Sequence, residues 1–147
     1  QVKTTINALK QVLGATVIAI YSNADAGGRE IIAALKEQSQ FHVFSNIDSV
    51  DFLGFMKQAD LMIGNSSAGI REAPSFKLPV VNIGTRQNGR FRAANVIDVP
   101  HEEVAIVEAI NKSISLSLTY SPFLTPPNKI IVEGRRTSSR YSRRPER

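Results

Sequence analysis

The sequence predicts an α/β domain in which a parallel sheet carries helices on both faces. Short, apolar, β-branched segments alternate with single stretches of helical periodicity between residues 16 and 117. This alternation gives right-handed crossovers between parallel strands. The loops that follow the predicted strands are rich in Gly, Ser and Asn, and ligands of such sheets bind beyond the carboxyl ends of the strands. The sequence therefore indicates a Rossmann-like domain with a ligand site along one edge.

The chain opens with a predicted helix over 2–13, where Val2, Ile6, Leu9 and Leu13 recur at helical spacing before Gly14. Thr16–Tyr21 reads as a buried parallel strand because both of its faces are apolar. The remaining predicted elements, in order, are a helix over 28–38, strand Phe41–Phe44, helix Ser49–Gln58, a strand over 61–63, a short helix over 68–75, strands Val80–Ile83 and Val96–Val99, and a helix over 101–117.

The net charge of +5 is concentrated at the end of the chain. Residues 129–147 contain seven Lys or Arg against two Glu, whereas residues 1–128 are neutral. Three prolines fall within 121–128, and few apolar residues follow. We therefore expect one domain over 1–128 and a basic, disordered tail over 129–147. The alternative for this tail is an arm that binds RNA or phosphate.

Composition narrows the class of protein. At 147 residues, 42% hydrophobic and 21% charged, the chain has room for one ordinary core. The absence of cysteine rules out disulfides and thiolate metal sites, and it favours a cytoplasmic location. No apolar run approaches the roughly 20 residues of a membrane span, and the start of the chain has no signal pattern. His42 and His101 have no partner at metal-ligand spacing, so we interpret both as structural and expect no metal or cofactor.

The strongest local signal is the segment GNSSAGIRE at 64–72, between a predicted strand and a helix. Ser66 or Ser67 is placed to cap the helix, whose first N–H groups can bind a phosphate. Glu72 follows one and a half turns later, where a carboxylate can accept hydrogen bonds from ribose hydroxyls. The alternative is that these residues only stabilise the helix.

Two enzyme classes are excluded by spacing. A serine hydrolase elbow needs Gly-x-Ser-x-Gly, but Ala68 fills the last position around Ser66, and the first glycine is missing around Ser67. No Gly-x-x-x-x-Gly-Lys segment is present, so a P-loop ATPase is excluded as well.

Two more loops belong to the predicted ligand edge. The segment GTRQNGRFR at 84–92 contains three arginines, of which Arg86 is nearest to the strand end and could neutralise a diphosphate. Arg90 and Arg92 are interpreted as solvated. The segment NADAGGR at 23–29 places Asn23 after the first strand, where its side chain can turn towards a ligand.

Together these residues resemble the UDP-N-acetylglucosamine 2-epimerase family, and in particular its hydrolysing branch. The resemblance lies in NSSAGIREAP at 65–74 and PVVNIGTRQNGR at 79–90, and it covers about residues 16–118. Non-hydrolysing relatives tend to carry Gly-Gly-Ile-Gln-Glu in the first segment. The resemblance implies the C-terminal lobe of a two-lobed fold of the GT-B type, in an enzyme of amino-sugar metabolism such as sialic acid biosynthesis.

By this resemblance each site residue has an expected role towards UDP. Ser66 and Ser67 would hold the diphosphate, Glu72 the ribose, and Arg86 a further part of UDP. Asn23 matches an asparagine that contacts UDP, and Ile47 a position whose backbone meets the uracil.

The family chemistry is an anti elimination of UDP across C1 and C2 of the sugar, followed by attack of water at C1 and inversion at C2. The product would be N-acetylmannosamine or a related sugar. The family's proton-transferring carboxylates would lie upstream of Gln1, so this lobe is expected to bind without turnover. Relatives are commonly dimeric or larger, and the Gly-Asp-Gly motif that ends the family has no counterpart here.

Two other functions remain open at the level of sequence. A donor-nucleotide domain of a GT-B glycosyltransferase would share the fold and the phosphate turn, and acidic residues for C2 proton transfer would distinguish the epimerase. A non-catalytic module whose basic tail binds nucleic acid is the second, and it would show a steep salt dependence.

Overall fold

A computed structural model describes residues 2–12, 14–21, 32–33, 35–37, 39, 41–45, 47–120 and 129–134. Helices and strands alternate through most of this part of the chain. In order they are α1 (Val2–Lys10), β1 (Thr16–Tyr21), β2 (Phe41–Phe44), α2 (Ser49–Gln58), β3 (Leu61–Gly64), α3 (Ala68–Arg71), a 3-10 helix (Ala73–Phe76), β4 (Val80–Ile83), β5 (Val96–Val99), α4 (Glu103–Tyr120) and β6 (Lys129–Gly134).

Within these ranges the strands form one six-stranded parallel sheet in the order β2-β1-β6-β3-β4-β5. The sheet is wound in two directions, because the chain runs outward from β1 to β2 on one side and from β3 through β4 to β5 on the other. The predicted α/β, Rossmann-like fold is therefore confirmed.

The two faces of the sheet carry separate cores, as the period-two alternation of strand side chains requires. On one face Val17, Ile63 and Val132 pack with α1 and α4, which contribute Leu9 and Ile110. The other face is covered by α2, α3 and the 3-10 helix, and the residues buried there are Met56, Met62, Ala73, Leu78, Val80 and Ile131. Helices on both faces are thus confirmed.

Several boundaries differ from the sequence-based expectation. The predicted helix over 68–75 ends as an α-helix at Arg71 and continues as the 3-10 helix, because Pro74 has no N–H to donate to Ile70. The helix after β5 begins at Glu103 and extends to Tyr120. Of the helix predicted over 28–38, residues 32, 33, 35 and 36 are helical, and much of the rest lies outside the described residues. In the described part of the chain, no helix has the length and apolarity that crossing a membrane requires.

The expectation of a tail beginning at Lys129 is wrong for its first six residues. Lys129–Gly134 forms β6, which pairs in parallel with both β1 and β3. Ile130, Ile131 and Val132 are 0–2% exposed. A run of three apolar residues between prolines and arginines is too short to predict a strand. The segment forms a strand because β1 and β3 would otherwise each have a row of unpaired backbone groups. Residues 135–147 lie outside the described part.

Truncation at two points should separate β6 from the residues after it. A chain ending at Gly134 should unfold cooperatively with the stability of the full chain. A chain ending at Asn128 loses three buried side chains worth roughly 1.5–3 kcal/mol each, a sum comparable with the roughly 5–15 kcal/mol of a whole domain. Urea unfolding followed by circular dichroism measures both. Equal stability of the two chains would contradict the central position of β6.

Gly64 is the tightest point in this pairing. Its φ is +144°, and a Cβ at this position would overlap the carbonyl oxygen of Glu133 on β6. Gly64→Ala should lower the free energy of unfolding by more than about 2 kcal/mol. The control is Gly54→Ala in α2, where an added Cβ has open space and should raise stability by about 0.5–1 kcal/mol. Urea titration of both variants gives the comparison, and a Gly64→Ala protein as stable as the wild type would refute this account.

Candidate functional site

The turn after β3 lies where the winding of the sheet reverses. β6 pairs with both β1 and β3, so the carboxyl ends of these three strands are adjacent, with Glu133 opposite Ile20 on one side and Gly64 on the other. In open α/β sheets the crevice beside such a reversal is the usual ligand site. The sequence-predicted phosphate turn at 64–67 therefore stands beside this reversal, at the carboxyl edge of the sheet.

Ser66, and not Ser67, caps the helix after this turn. Its Oγ accepts a hydrogen bond from the Ala68 N–H at 3.2 Å, and the residue is 7% exposed. Ser67 occupies the N-cap position with helical dihedrals and no side-chain cap bond. Next to it, Gly69 allows α3 to approach the sheet closely, since an added Cβ would lie 2.9 Å from Cγ1 of Val80. The hydroxyl of Ser67 is thus not committed to capping α3.

The arginine loop between β4 and β5 contacts the same turn. Arg86 Nη1 donates to the carbonyl oxygen of Asn65 at 3.2 Å, and Gln87 Nε2 donates to the same oxygen at 2.7 Å. The structure therefore brings together two segments that are 22 residues apart in sequence. Arg86 is exposed and Ser66 is buried at this junction, so a positive charge lies at the carbonyl that directly precedes the two serines in the chain.

Glu72 follows α3 as its C-terminal cap residue. The residue is half-buried, and its Oε2 is shielded from solvent without a hydrogen-bond partner among the described residues. An unsatisfied buried acceptor costs about 1–3 kcal/mol, and more if it is charged.

The other two predicted contacts are less fully defined. Ile47 precedes Asp48, whose Oδ1 accepts from the N–H groups of Val50 and Asp51 at 2.8 and 3.0 Å and caps α2. These hydrogen bonds, chiefly the one from Asp51, lower the pKa of Asp48. β2 and β3 are three strand spacings apart, which is about 14 Å, so only an extended ligand could reach both the loop after β2 and the phosphate turn. Asn23 lies outside the described residues.

Arg92 is not simply solvated, as the sequence suggested. Its Nε lies 2.9 Å from Oδ2 of Asp98, and Asn82 donates to the other oxygen of the same carboxylate at 2.6 Å. Arg92 Nη1 also donates to the carbonyl oxygen of Arg90 at 3.0 Å. This arginine therefore ties the loop to β5. Arg90 itself is exposed, as expected.

Sequence reasoning missed two residues near this edge. Tyr21, at the end of β1, is 8% exposed, and burial together with the nearby Glu133 carboxylate raises the pKa of its phenol. Gln87 lies in the segment 84–92, but no sequence pattern indicates a role for it, and only its burial distinguishes it from its exposed neighbours. His101, which the sequence indicates is structural, packs against Gly84, whose φ is +79° and where a Cβ would overlap the imidazole. No local pattern could have revealed the Tyr21–Glu133 proximity, because it depends on the placement of β6.

Comparison with known proteins shows the family of this chain. Residues 1–126 match the profile of a family described as UDP-N-acetylglucosamine 2-epimerase. Among curated relatives, the chain is 46% identical over 99 residues to "Polysialic acid biosynthesis protein P7" of Escherichia coli, covering 65% of this chain and 25% of the relative. It is 41% identical over 108 residues to "UDP-N-acetylglucosamine 2-epimerase" of Neisseria meningitidis serogroup B, covering 72% and 29%.

A third relative has the hydrolysing reaction in its name. This is "GDP/UDP-N,N'-diacetylbacillosamine 2-epimerase (hydrolyzing)" of Campylobacter jejuni, 42% identical over 103 residues, which cover 67% of this chain and 27% of the relative. The chain thus spans about a quarter of the length of the curated relatives it matches.

The imidazole of His101 should make stability depend on pH. Its partial burial against Gly84 lowers its pKa from 6.5. Below pH 6.5 the unfolded chain therefore binds this proton more readily than the folded chain, and the free energy of unfolding falls. His101→Gln should lose less stability than the wild type between pH 7.5 and pH 5.5, as measured by urea unfolding. His42→Gln, at an exposed histidine, serves as control. If the free energy of unfolding changes equally with pH in His101→Gln and the wild type, the prediction is wrong.

Proposed function

Because this chain belongs to the UDP-N-acetylglucosamine 2-epimerase family, we propose that it is the C-terminal, UDP-binding lobe of a hydrolysing enzyme of that family. The family has a two-lobed fold of the GT-B type, and the Rossmann-like sheet described above suits one such lobe. The proposed enzyme acts on UDP-N-acetylglucosamine or a close derivative and releases N-acetylmannosamine or a related sugar.

One observation carries this proposal. The Asn65 carbonyl receives hydrogen bonds from both Arg86 and Gln87, so the two segments that resemble the hydrolysing signature meet at one point of the ligand edge. An arginine beside two serine hydroxyls can neutralise and bind a diphosphate. The names of the Campylobacter relative and of one from Legionella pneumophila, both called hydrolysing, support the choice of branch.

In the proposed complex each site residue has one role. Ser66, Ser67 and Arg86 hold the diphosphate, and Glu72 accepts hydrogen bonds from the ribose hydroxyls. Asn23 and the backbone of Ile47 contact the nucleoside further along the sheet edge. The 14 Å between β2 and β3 suits this division, because an extended nucleotide has its base and its phosphates at opposite ends.

The same contacts serve catalysis. In the first step C2 of the sugar loses its proton and C1 loses UDP, in an anti elimination. Water then adds at C1, and C2 is reprotonated on the opposite face. Negative charge develops on the leaving UDP, so a cation and hydroxyl donors held at the diphosphate lower the barrier. We assign the proton-transferring groups to sequence beyond this chain, which is expected to bind UDP without turnover. A cytoplasmic location and a homo-oligomeric full-length enzyme belong to the same proposal.

Calorimetric titration of the chain with UDP tests the proposal. We expect saturable binding with an affinity of roughly 10 µM to 1 mM, or about −4 to −7 kcal/mol. Ser66→Ala and Glu72→Ala should each weaken UDP binding about tenfold or more, because each removes one or more hydrogen bonds to a charged group. Arg90→Ala, in the same loop as Arg86, is the matched control and should bind UDP like the wild type.

A second ligand distinguishes the two roles. With 2′-deoxy-UDP, which lacks one ribose hydroxyl, the loss caused by Glu72→Ala should shrink while the loss caused by Ser66→Ala should persist. If the folded chain does not bind UDP, the proposed UDP-binding function is wrong. If Glu72→Ala weakens the binding of UDP and 2′-deoxy-UDP by the same factor, the ribose role of Glu72 is wrong.

A further inference from the structure

Gln87 is a buried polar residue in an exposed loop. It is 2% exposed, whereas its neighbours Arg86 and Asn88 are exposed. The turns that point it inward are closed by hydrogen bonds from the Asn88 N–H to the Thr85 carbonyl and from the Arg90 N–H to the Gln87 carbonyl, at 3.0 and 3.3 Å. A primary amide is rarely buried unless a hydrogen bond requires it.

The Gln87 amide makes this hydrogen bond through Nε2, which donates to the Asn65 carbonyl at 2.7 Å. Gln87 Oε1 is buried without a hydrogen-bond partner among the residues that the structure describes. Leaving this oxygen unsatisfied costs about 1–3 kcal/mol. An apolar side chain of similar size would avoid that cost, so packing alone does not explain a glutamine here.

The Asn65 carbonyl is also the point that orients the phosphate turn. In a planar trans peptide the C=O and the following N–H point in opposite directions. Donors that hold the Asn65 oxygen therefore fix the direction of the Ser66 N–H, and with it the start of the turn that leads to Ser67. Two consecutive residues supply these donors, and the bond from Arg86 is the longer one, at 3.2 Å.

We propose that Gln87 is a positioning residue for the diphosphate site. It keeps the Asn65 carbonyl hydrogen-bonded, so that the turn holds its shape when the Arg86 guanidinium rotates from that carbonyl towards a diphosphate. The guanidinium has five N–H donors and an exposed position, which suits an exchangeable contact. The neutral amide of Gln87 suits a permanent one. This inference rests on the proposed function for its ligand, but its structural part can be tested on the protein alone.

Amide hydrogen exchange tests the structural part on the full chain. In Gln87→Met, which keeps the length of the side chain but removes the donor, exchange should be about tenfold faster at the Ala68 N–H, which bonds to Ser66 Oγ, and at the Ile70 N–H, which bonds to the Ser67 carbonyl. That factor is the equivalent of one neutral hydrogen bond. Gln87→Leu also lacks a donor and should behave similarly. Asn88→Ala is the control and should leave these rates unchanged. Unchanged rates in both Gln87 variants overturn the inference, whatever the ligand result.

The functional part is tested with two ligands. Both Gln87 variants should weaken UDP binding about tenfold and UMP binding less, because UMP lacks the second phosphate that the turn and Arg86 hold together. An equal loss for both ligands would indicate a general structural role and overturn the inference. If the wild-type chain binds neither ligand, the proposed function fails, and the exchange rates alone decide the role of Gln87. If it binds UDP and the variants bind equally well, only the role of Gln87 is wrong.

Discussion

The two-sided pairing of β6 is the constraint on which the rest of this structure depends. β1 and β3 do not pair with each other, so the two halves of the sheet are joined through the backbone of Lys129–Gly134. The approach of β6 to β3 is close enough that Gly64 has no room for a Cβ beside the Glu133 carbonyl. The last segment that the structure describes thus completes the middle of the sheet, and both hydrophobic cores pack against this continuous sheet.

The candidate site follows from this arrangement. Because the winding reverses around β6, the turn after β3 stands at the position where open α/β sheets usually bind their ligands. The helix that follows is only four residues long, so the helix dipole can contribute little to anion binding. The charge must come from a side chain, and the loop after β4 provides it by placing Arg86 at the Asn65 carbonyl. In this respect the site resembles a clamp between two loops more than a helix-end phosphate site.

Membership of the 2-epimerase family gives this clamp a chemical context. The fold alone would fit many nucleotide-binding proteins, since function is carried by sites and not by folds. The candidate site combines an exposed guanidinium and two serines, which suit a diphosphate, with a half-buried carboxylate, which suits a hydroxyl donor and not a phosphate. The carboxylate of Glu133 near Tyr21 adds negative charge to the same edge, and it lies on the strand that sequence reasoning had assigned to a tail.

The sequence by itself determined the strands Thr16–Tyr21, Phe41–Phe44, Val80–Ile83 and Val96–Val99 and the helix Ser49–Gln58. Local signals are sufficient there, because these strands are short and mostly apolar, they alternate with stretches of helical periodicity, and Asp48 is a helix cap. The sequence also identified Ser66, Glu72 and Arg86 as candidates. It did not indicate the contact between the segments 64–72 and 84–92. Only the tertiary structure decided the place of β6, the meeting of Arg86 and Gln87 at Asn65, and the ion pair of Arg92. Each depends on backbone groups or charges that are distant in sequence. Local sequence patterns do not indicate which strand edge or carbonyl a given segment will pair with.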